Sequence, residues 1–388
     1  MNGRGATDEQ SPKVQEHSRA PRELNESLRA LLRPELADLR AYVPEGSLAE
    51  DTVKLDANEA PPSSSPVIRE TIARAIARVA MERYPDARAT ELREAIAERT
   101  GASPDDLLFG TGSDEVIALL LNALARPREK LPQAVVLAPT PTFVMYRVTA
   151  RAHGLKSVEV PLDASWNLDA ATTVRGIEAL RPNVVFIASP NNPTGNRMTE
   201  ASLAQVIEAA DDALVVLDEA YIDYAGGSLR AWRARYPNLA ILRTLSKVGL
   251  AALRVGWLEA DAALVRELDK GRQPFNVSAT SQAAAAAVVR EGWSAVEEDV
   301  ARVVSERTRV SGELARISGL TVTPSDANFV WVRTLQPAKD VVESLASRGV
   351  RVRSFHAAGG RLANQMRVTI GAAKDNDRFL DAIREVTA

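Results

Sequence analysis

Residues 183–219, NVVFIASPNNPTGNRMTEASLAQVIEAADDALVVLDE, hold an apolar run, a turn of prolines and amides, an amphipathic helix-like segment and a second apolar run. That order predicts strand, helix and strand. The alternation continues on both sides. Upstream, DLLFG precedes SDEVIALLLNAL, AVVLAP precedes TFVMYRVTARAHG, and SVEVPL follows; downstream stands LAILRTLS. Strands alternating with helices predict an α/β fold with a mainly parallel, doubly wound sheet. A helical tract then runs from Ser278 to Ile317. After it, GLTVTPSDANFVWVR, AKDVVESLASRG, VRVRSF, QMRVTIG and DNDRFLDAIREVTA make a mixed pattern that predicts a smaller α/β domain.

The chain has 388 residues, 45% of them hydrophobic, which is ample for a large core. Its formal charge is -3 with acids and bases interspersed, so no basic stripe points to nucleic acid or a membrane surface, and small molecules are the expected partners. It contains no cysteine, which excludes disulfides and thiolate chemistry, and its 3 histidines, His17, His153 and His356, are too dispersed to suggest a metal site. No apolar run reaches membrane-spanning length and the first residues carry no apolar signal core. A cytoplasmic location is the resulting expectation, with residues 1–27 read as a polar, flexible tail.

Ligands of open parallel sheets bind beyond the carboxyl ends of the strands. After DLLFG comes a glycine-rich turn, Gly110 to Glu115, whose backbone N–H groups suit an anion. After AVVLAP comes Phe143, after NVVFIA the turn SPNNPTG with Asn192, and after ALVVL the residues Asp218, Glu219 and Tyr221. LAILR leads to Thr244, Ser246 and Lys247, with Arg254 seven residues on. In ILRTLSKVGLAALRVGW, Ile241 to Trp257, the lysine sits among small and apolar residues rather than among other charges. Such a set meets the needs of pyridoxal 5′-phosphate: a lysine to bond it, a carboxylate for its ring nitrogen, donors for its ring oxygen, an aromatic ring to stack on and an anion cradle. A nucleotide-binding dehydrogenase or a non-catalytic binding protein is the contrasting class. No G-x-G-x-x-G follows the first strand, which counts against the dehydrogenase.

SPNNPTG, LDEAY and TLSK with LRVG, in this order, resemble the pyridoxal-phosphate-dependent aminotransferases of the aspartate aminotransferase fold. KLDANEAPP, ERYPD, GTGSDE, PTPTFVMY, DANFVWVR and QMRVTIG resemble the histidinol-phosphate aminotransferases within them. The resemblance implies Lys247 as the Schiff-base lysine, Asp218 on the ring nitrogen, Asn192 and Tyr221 on the ring oxygen, and Phe143 stacked on the ring. It places Ser113, Asp114, Thr244, Ser246 and Arg254 around the phosphate, with Tyr84 reaching it from the other subunit of a homodimer. Arg367, Arg353 and Tyr42 would face the substrate. The implied reaction is transamination of histidinol phosphate with 2-oxoglutarate; aromatic amino acid transamination and threonine-phosphate decarboxylation share the fold. The expected division is an N-terminal arm at 28–65 that joins the small domain, a large cofactor-binding domain at 66–285 and a small C-terminal domain at 286–388.

Overall fold

The structure, a computed structural model, describes residues 24–36, 39, 51–128 and 131–387. Of these, residues 24–36 and 39 belong to a unit of their own. Within it α1, Glu26–Arg29, is a single exposed turn whose cap Asn25 accepts from the Ser27 N–H at 2.7 Å. The expected tail therefore lies outside the described residues up to residue 23, and its last residues enter this turn.

The rest of the chain builds two sheets. Strand β1, Val53–Leu55, belongs to the second. The first contains β2 (Leu107–Thr111), β3 (Val135–Thr140), β4 (Lys156–Pro161), β5 (Val184–Ala188), β6 (Leu214–Asp218), β7 (Leu239–Thr244) and β8 (Val255–Glu259) in the order β2-β8-β7-β6-β5-β3-β4. Strands β7, β6, β5, β3 and β4 run parallel, while β8 is antiparallel to both neighbours. Successive residues of each strand feed opposite cores. Val136, Phe186, Val216 and Leu242 pack with Val116, Ile117 and Tyr146, whereas Leu137, Val185, Val215 and Ile241 pack with Ile177, Leu203 and Val206. A sheet covered on both faces needs uninterrupted apolar strands, which is the pattern the sequence carries.

Helices α2 (Pro66–Ile76), α3 (Thr90–Thr100), α4 (Ser113–Ala123), α5 (Met145–Ala152), α6 (Ala170–Leu180), α7 (Glu200–Ala209) and α8 (Ala262–Asp269) accompany this sheet. The helical tract expected from Ser278 is α9 (Ala279–Ala287), a π turn at Val288–Gly292, and α10 (Trp293–Ala315). Several elements escape the sequence reading, among them helices α2, α3, α6 and α8 and strands β1 and β8. Helix α6, AATTVRGIEAL, mixes two threonines and a glycine into its turns, which weakens its periodicity; a Cβ at Gly176 would stand 3.3 Å from Leu137 Cδ1. Strand β8 hides behind Gly256.

The second sheet takes β9 (Leu320–Thr323), β10 (Phe329–Thr334), β11 (Val350–Ser354) and β12 (Gln365–Thr369) in the order β1-β11-β12-β10-β9. The N-terminal β1 pairs in parallel with β11, Val53 against Val350, as the small α/β domain requires. Helices α10, α11 (Ala338–Ser347) and α12 (Ala373–Thr387) close its core through Val310, Leu345 and Phe379. Its register sets Arg367 opposite Trp331 on one side and Arg353 on the other.

Candidate active site

Three parallel strands, β5, β6 and β7, end side by side, with Ala188 and Leu242 flanking Asp218. β6 terminates in Asp218, which is 4% exposed. One carboxylate oxygen accepts the Ala220 N–H at 2.9 Å and the other the Tyr146 hydroxyl at 2.5 Å. Burial pushes this carboxyl up to about 6, although both hydrogen bonds and the Lys247 charge pull it down. Asp114 repels it, so Asp114, Lys247 and Asp218 share one field. The Tyr146 ring is held by stacking on Phe186 at 4.6 Å and by the edge of Phe143 at 5.6 Å.

Lys247 follows β7 in a short 3-10 turn, Ser246–Val248. Its Nζ lies 5.7 Å from the Tyr221 ring centroid, and its backbone carbonyl accepts the Tyr224 hydroxyl at 2.6 Å. Gly249 at φ 90° and Arg254 at φ 51° turn the chain left-handedly, so that seven residues carry it from the lysine to the arginine and into β8. Thr244 Oγ1 donates to the Val255 carbonyl at 3.0 Å and lies 3.0 Å from Ser246 Oγ.

Beside them lies the start of α4. Its N-cap is Gly112, which has no side chain to satisfy the first N–H groups of the helix. A Cβ on Gly112 would sit 2.6 Å from the Arg254 guanidinium, and one on Gly256 would sit 2.3 Å from the Ser113 nitrogen. Helix terminus, strand and arginine are thus in direct contact, with Arg254 3.7 Å from the Asp114 carboxylate. Tyr84 stands apart: it is 83% exposed and stacks on Phe275 at 4.9 Å. Phe275 adjoins Asn276, whose carbonyl accepts the Thr111 hydroxyl at 2.7 Å.

From the second sheet comes Arg367, 9% exposed, which donates to Asn192 Oδ1 at 2.5 Å and to the Asp56 carbonyl at 2.6 Å. Rings of Phe329 and Phe355 flank it at 5.4 Å and 5.9 Å. Arg353 is exposed on β11, and Tyr42 lies outside the described residues. The sequence reading assigned no role to three residues that touch this group: Tyr146, Tyr224 and Asn58, whose Nδ2 donates to Tyr221 Oη at 2.8 Å. Each acts through another side chain or the backbone. No spacing rule reveals such partners.

The aminotransferase class I and II family model matches residues 50–383. A histidinol-phosphate aminotransferase of Methylibium petroleiphilum is 39% identical over 363 residues, covering 92% of this chain and 95% of that protein. The chain belongs to the class I and II aminotransferases. Another relative, the histidinol-phosphate aminotransferase of Aquifex aeolicus, is 35% identical over 90% of this chain and 96% of its own. Among solved structures, the histidinol-phosphate aminotransferase of Sinorhizobium meliloti in complex with pyridoxal 5′-phosphate superposes with a TM-score of 0.81 at 24% identity, over 92% of this chain and 98% of that one. As a member of this family the chain is a pyridoxal-phosphate-dependent transferase. The crevice of this aminotransferase fits that cofactor on its own terms. It offers a buried carboxylate, a lysine amine and a glycine-lined helix terminus next to an arginine. Among the described residues no His, Asp and Glu group could hold a metal ion, and no helix is long and apolar enough to cross a membrane.

Proposed function

We propose that this aminotransferase moves the amino group of histidinol phosphate to 2-oxoglutarate, giving imidazole-acetol phosphate and glutamate. Arg367 carries the reading: a cation that is 9% exposed and bonded to Asn192 supports an anionic substrate at this site. The substrate itself is suggested by the curated relatives, which are named for it at 33–39% identity.

In this reading Lys247 Nζ would hold the cofactor, and its freed amine would take the proton from the substrate's α-carbon. Bound there, the cofactor would supply an electron sink for the carbanion left behind. Asp218 pairs with the protonated ring nitrogen. Asn192, its Oδ1 occupied by Arg367, has its NH2 left to donate to the ring oxygen, as does the Tyr221 hydroxyl. Phe143 stacks on the ring. The N–H groups of Ser113 and Asp114, the Ser246 hydroxyl and Arg254 would hold the phosphate, with Thr244, whose hydroxyl hydrogen goes to the Val255 carbonyl, accepting the Ser246 N–H behind them. Arg353 and Tyr42 complete the substrate side. The exposed Tyr84 would reach the phosphate of a second copy, so that the working form is a homodimer with shared sites; its expected location is the cytoplasm. The same reading divides the chain into a large domain at 66–285 and a small one built from 28–65 and 286–388.

The test is a single half-reaction. Histidinol phosphate added without acceptor to the pyridoxal-phosphate-loaded protein is expected to bleach the visible band of the lysine-bound cofactor and raise that of pyridoxamine phosphate. A band that responds to phenylalanine alone would move the substrate to the aromatic amino acids, and carbon dioxide release from threonine phosphate would make the enzyme a lyase.

A further inference from the structure

Asn58 carries no role in the reaction described so far. It is 2% exposed and holds φ 57°, a left-handed conformation that asparagine tolerates but that still costs free energy. Every polar group it has is engaged. Its N–H donates to Thr369 Oγ1 at 3.0 Å, and its carbonyl accepts from Asn328 Nδ2 at 3.0 Å. Its Oδ1 accepts from Thr369 Oγ1 at 3.3 Å, which turns its Nδ2 toward Tyr221 Oη at 2.8 Å. A strained, buried residue with all its bonds made is fixed by its surroundings. Tyr221 is the contact that leads from it to the crevice.

A tyrosine hydroxyl carries one hydrogen. With its oxygen receiving the Asn58 N–H, that hydrogen is left for a group in the crevice. Resting on the cofactor assignment above, we propose that Asn58 is the positioning residue that makes Tyr221 a donor to the cofactor's ring oxygen. Thr369, two residues from Arg367 on β12, and Asn328, next to β10, anchor this donor to the sheet that carries the substrate arginine. The charged and titratable groups around Tyr221 are Lys247, Asp218, Tyr146, Tyr224 and, across Phe329, Arg367. None of them hydrogen-bonds to Asn58 among the described residues.

A donor on the ring oxygen holds its negative charge, which otherwise stabilises the proton on the neighbouring lysine nitrogen. Losing the donor therefore keeps that proton on to higher pH. The visible band of the pyridoxal-phosphate-loaded protein, titrated with pH, reads this directly. Asn58→Gly, which suits the positive φ, is expected to raise the midpoint by about 1 pH unit, the size of one hydrogen bond to a charged group. Tyr221→Phe is expected to raise it equally, and the double variant no further. Thr369→Val, which leaves the Asn58 backbone in place, is expected to shift it less in the same direction. A parent protein that takes up no coloured cofactor overturns the site and this role together. A coloured parent whose Asn58→Gly and Thr369→Val variants titrate unchanged, or whose Asn58 and Tyr221 shifts add, overturns the role of Asn58 alone.

Discussion

Asp218 combines full burial with a charge, and this has a measurable consequence before any cofactor is considered. Its carboxyl is pushed up from 3.8 to about 6 by burial. An acid raised on folding stabilises the native state while it stays protonated, below about pH 4, and that contribution is lost as pH rises through about 6. Over that interval the ionised group costs the cofactor-free chain about 3 kcal/mol. Asp218→Asn, cofactor-free, should therefore unfold at higher urea than the parent at pH 8 and at the same urea near pH 4. Equal midpoints at pH 8 would mean that the carboxylate is not held at a cost. At this scale the sequence pointed to strand ends, where such a fold binds ligands: Asp218 closes β6, Tyr221 and Lys247 come after β6 and β7, and Arg254 immediately precedes β8. It was silent on Tyr146, Tyr224 and Asn58. Their function is a hydrogen bond to a partner 72, 23 and 163 residues away in sequence, a distance that only the fold closes.

Among the elements, the contact of β8 with the start of α4 decides whether an anion cradle exists. Gly256 permits it, because a Cβ would lie 2.3 Å from the Ser113 nitrogen and 2.5 Å from the Gly112 carbonyl carbon. Both are backbone atoms, so no side chain can swing aside. Gly256→Ala is expected to cost about 3 kcal/mol in urea unfolding and to weaken retention of pyridoxal phosphate on dialysis. A stable variant that keeps its cofactor would show that helix and strand need not touch. The glycine-rich turn before α4 was legible in the sequence, yet the strand packed against it was not. VGWLE reads as a continuation of the loop after Lys247 because its glycine interrupts the strand pattern, and that glycine exists for the close approach itself. Helix α6 was missed for a related reason, since Gly176 makes room for Leu137 at the expense of a clear helical stripe.

For the molecule as a whole, one side chain does much to join the two sheets. Arg361, in the loop between β11 and β12, donates to the carbonyls of Leu162 and Asp163 at 2.9 Å and 2.8 Å and lies 3.6 Å from the Trp166 ring centroid. Trp166 meets Trp331, Trp331 meets Phe355, and Phe355 flanks Arg367, so the joint leads by ring contacts to Arg367, the proposed substrate arginine. Arg361→Ala should cost about 2 kcal/mol in unfolding and raise KM more than it lowers kcat. A fall in kcat alone would break the proposed link to Arg367. The two-sheet architecture was readable from strand and helix alternation, whereas this joint rests on aromatic packing between segments remote in sequence. Central to all of it is that Lys247 bonds the cofactor. Borohydride reduction of the pyridoxal-phosphate-loaded protein, followed by digestion and mass spectrometry, tests that most directly: the account predicts the phosphopyridoxyl group on Lys247, absent from a Lys247→Ala protein. Label on another lysine, or label that survives Lys247→Ala unchanged, would contradict it.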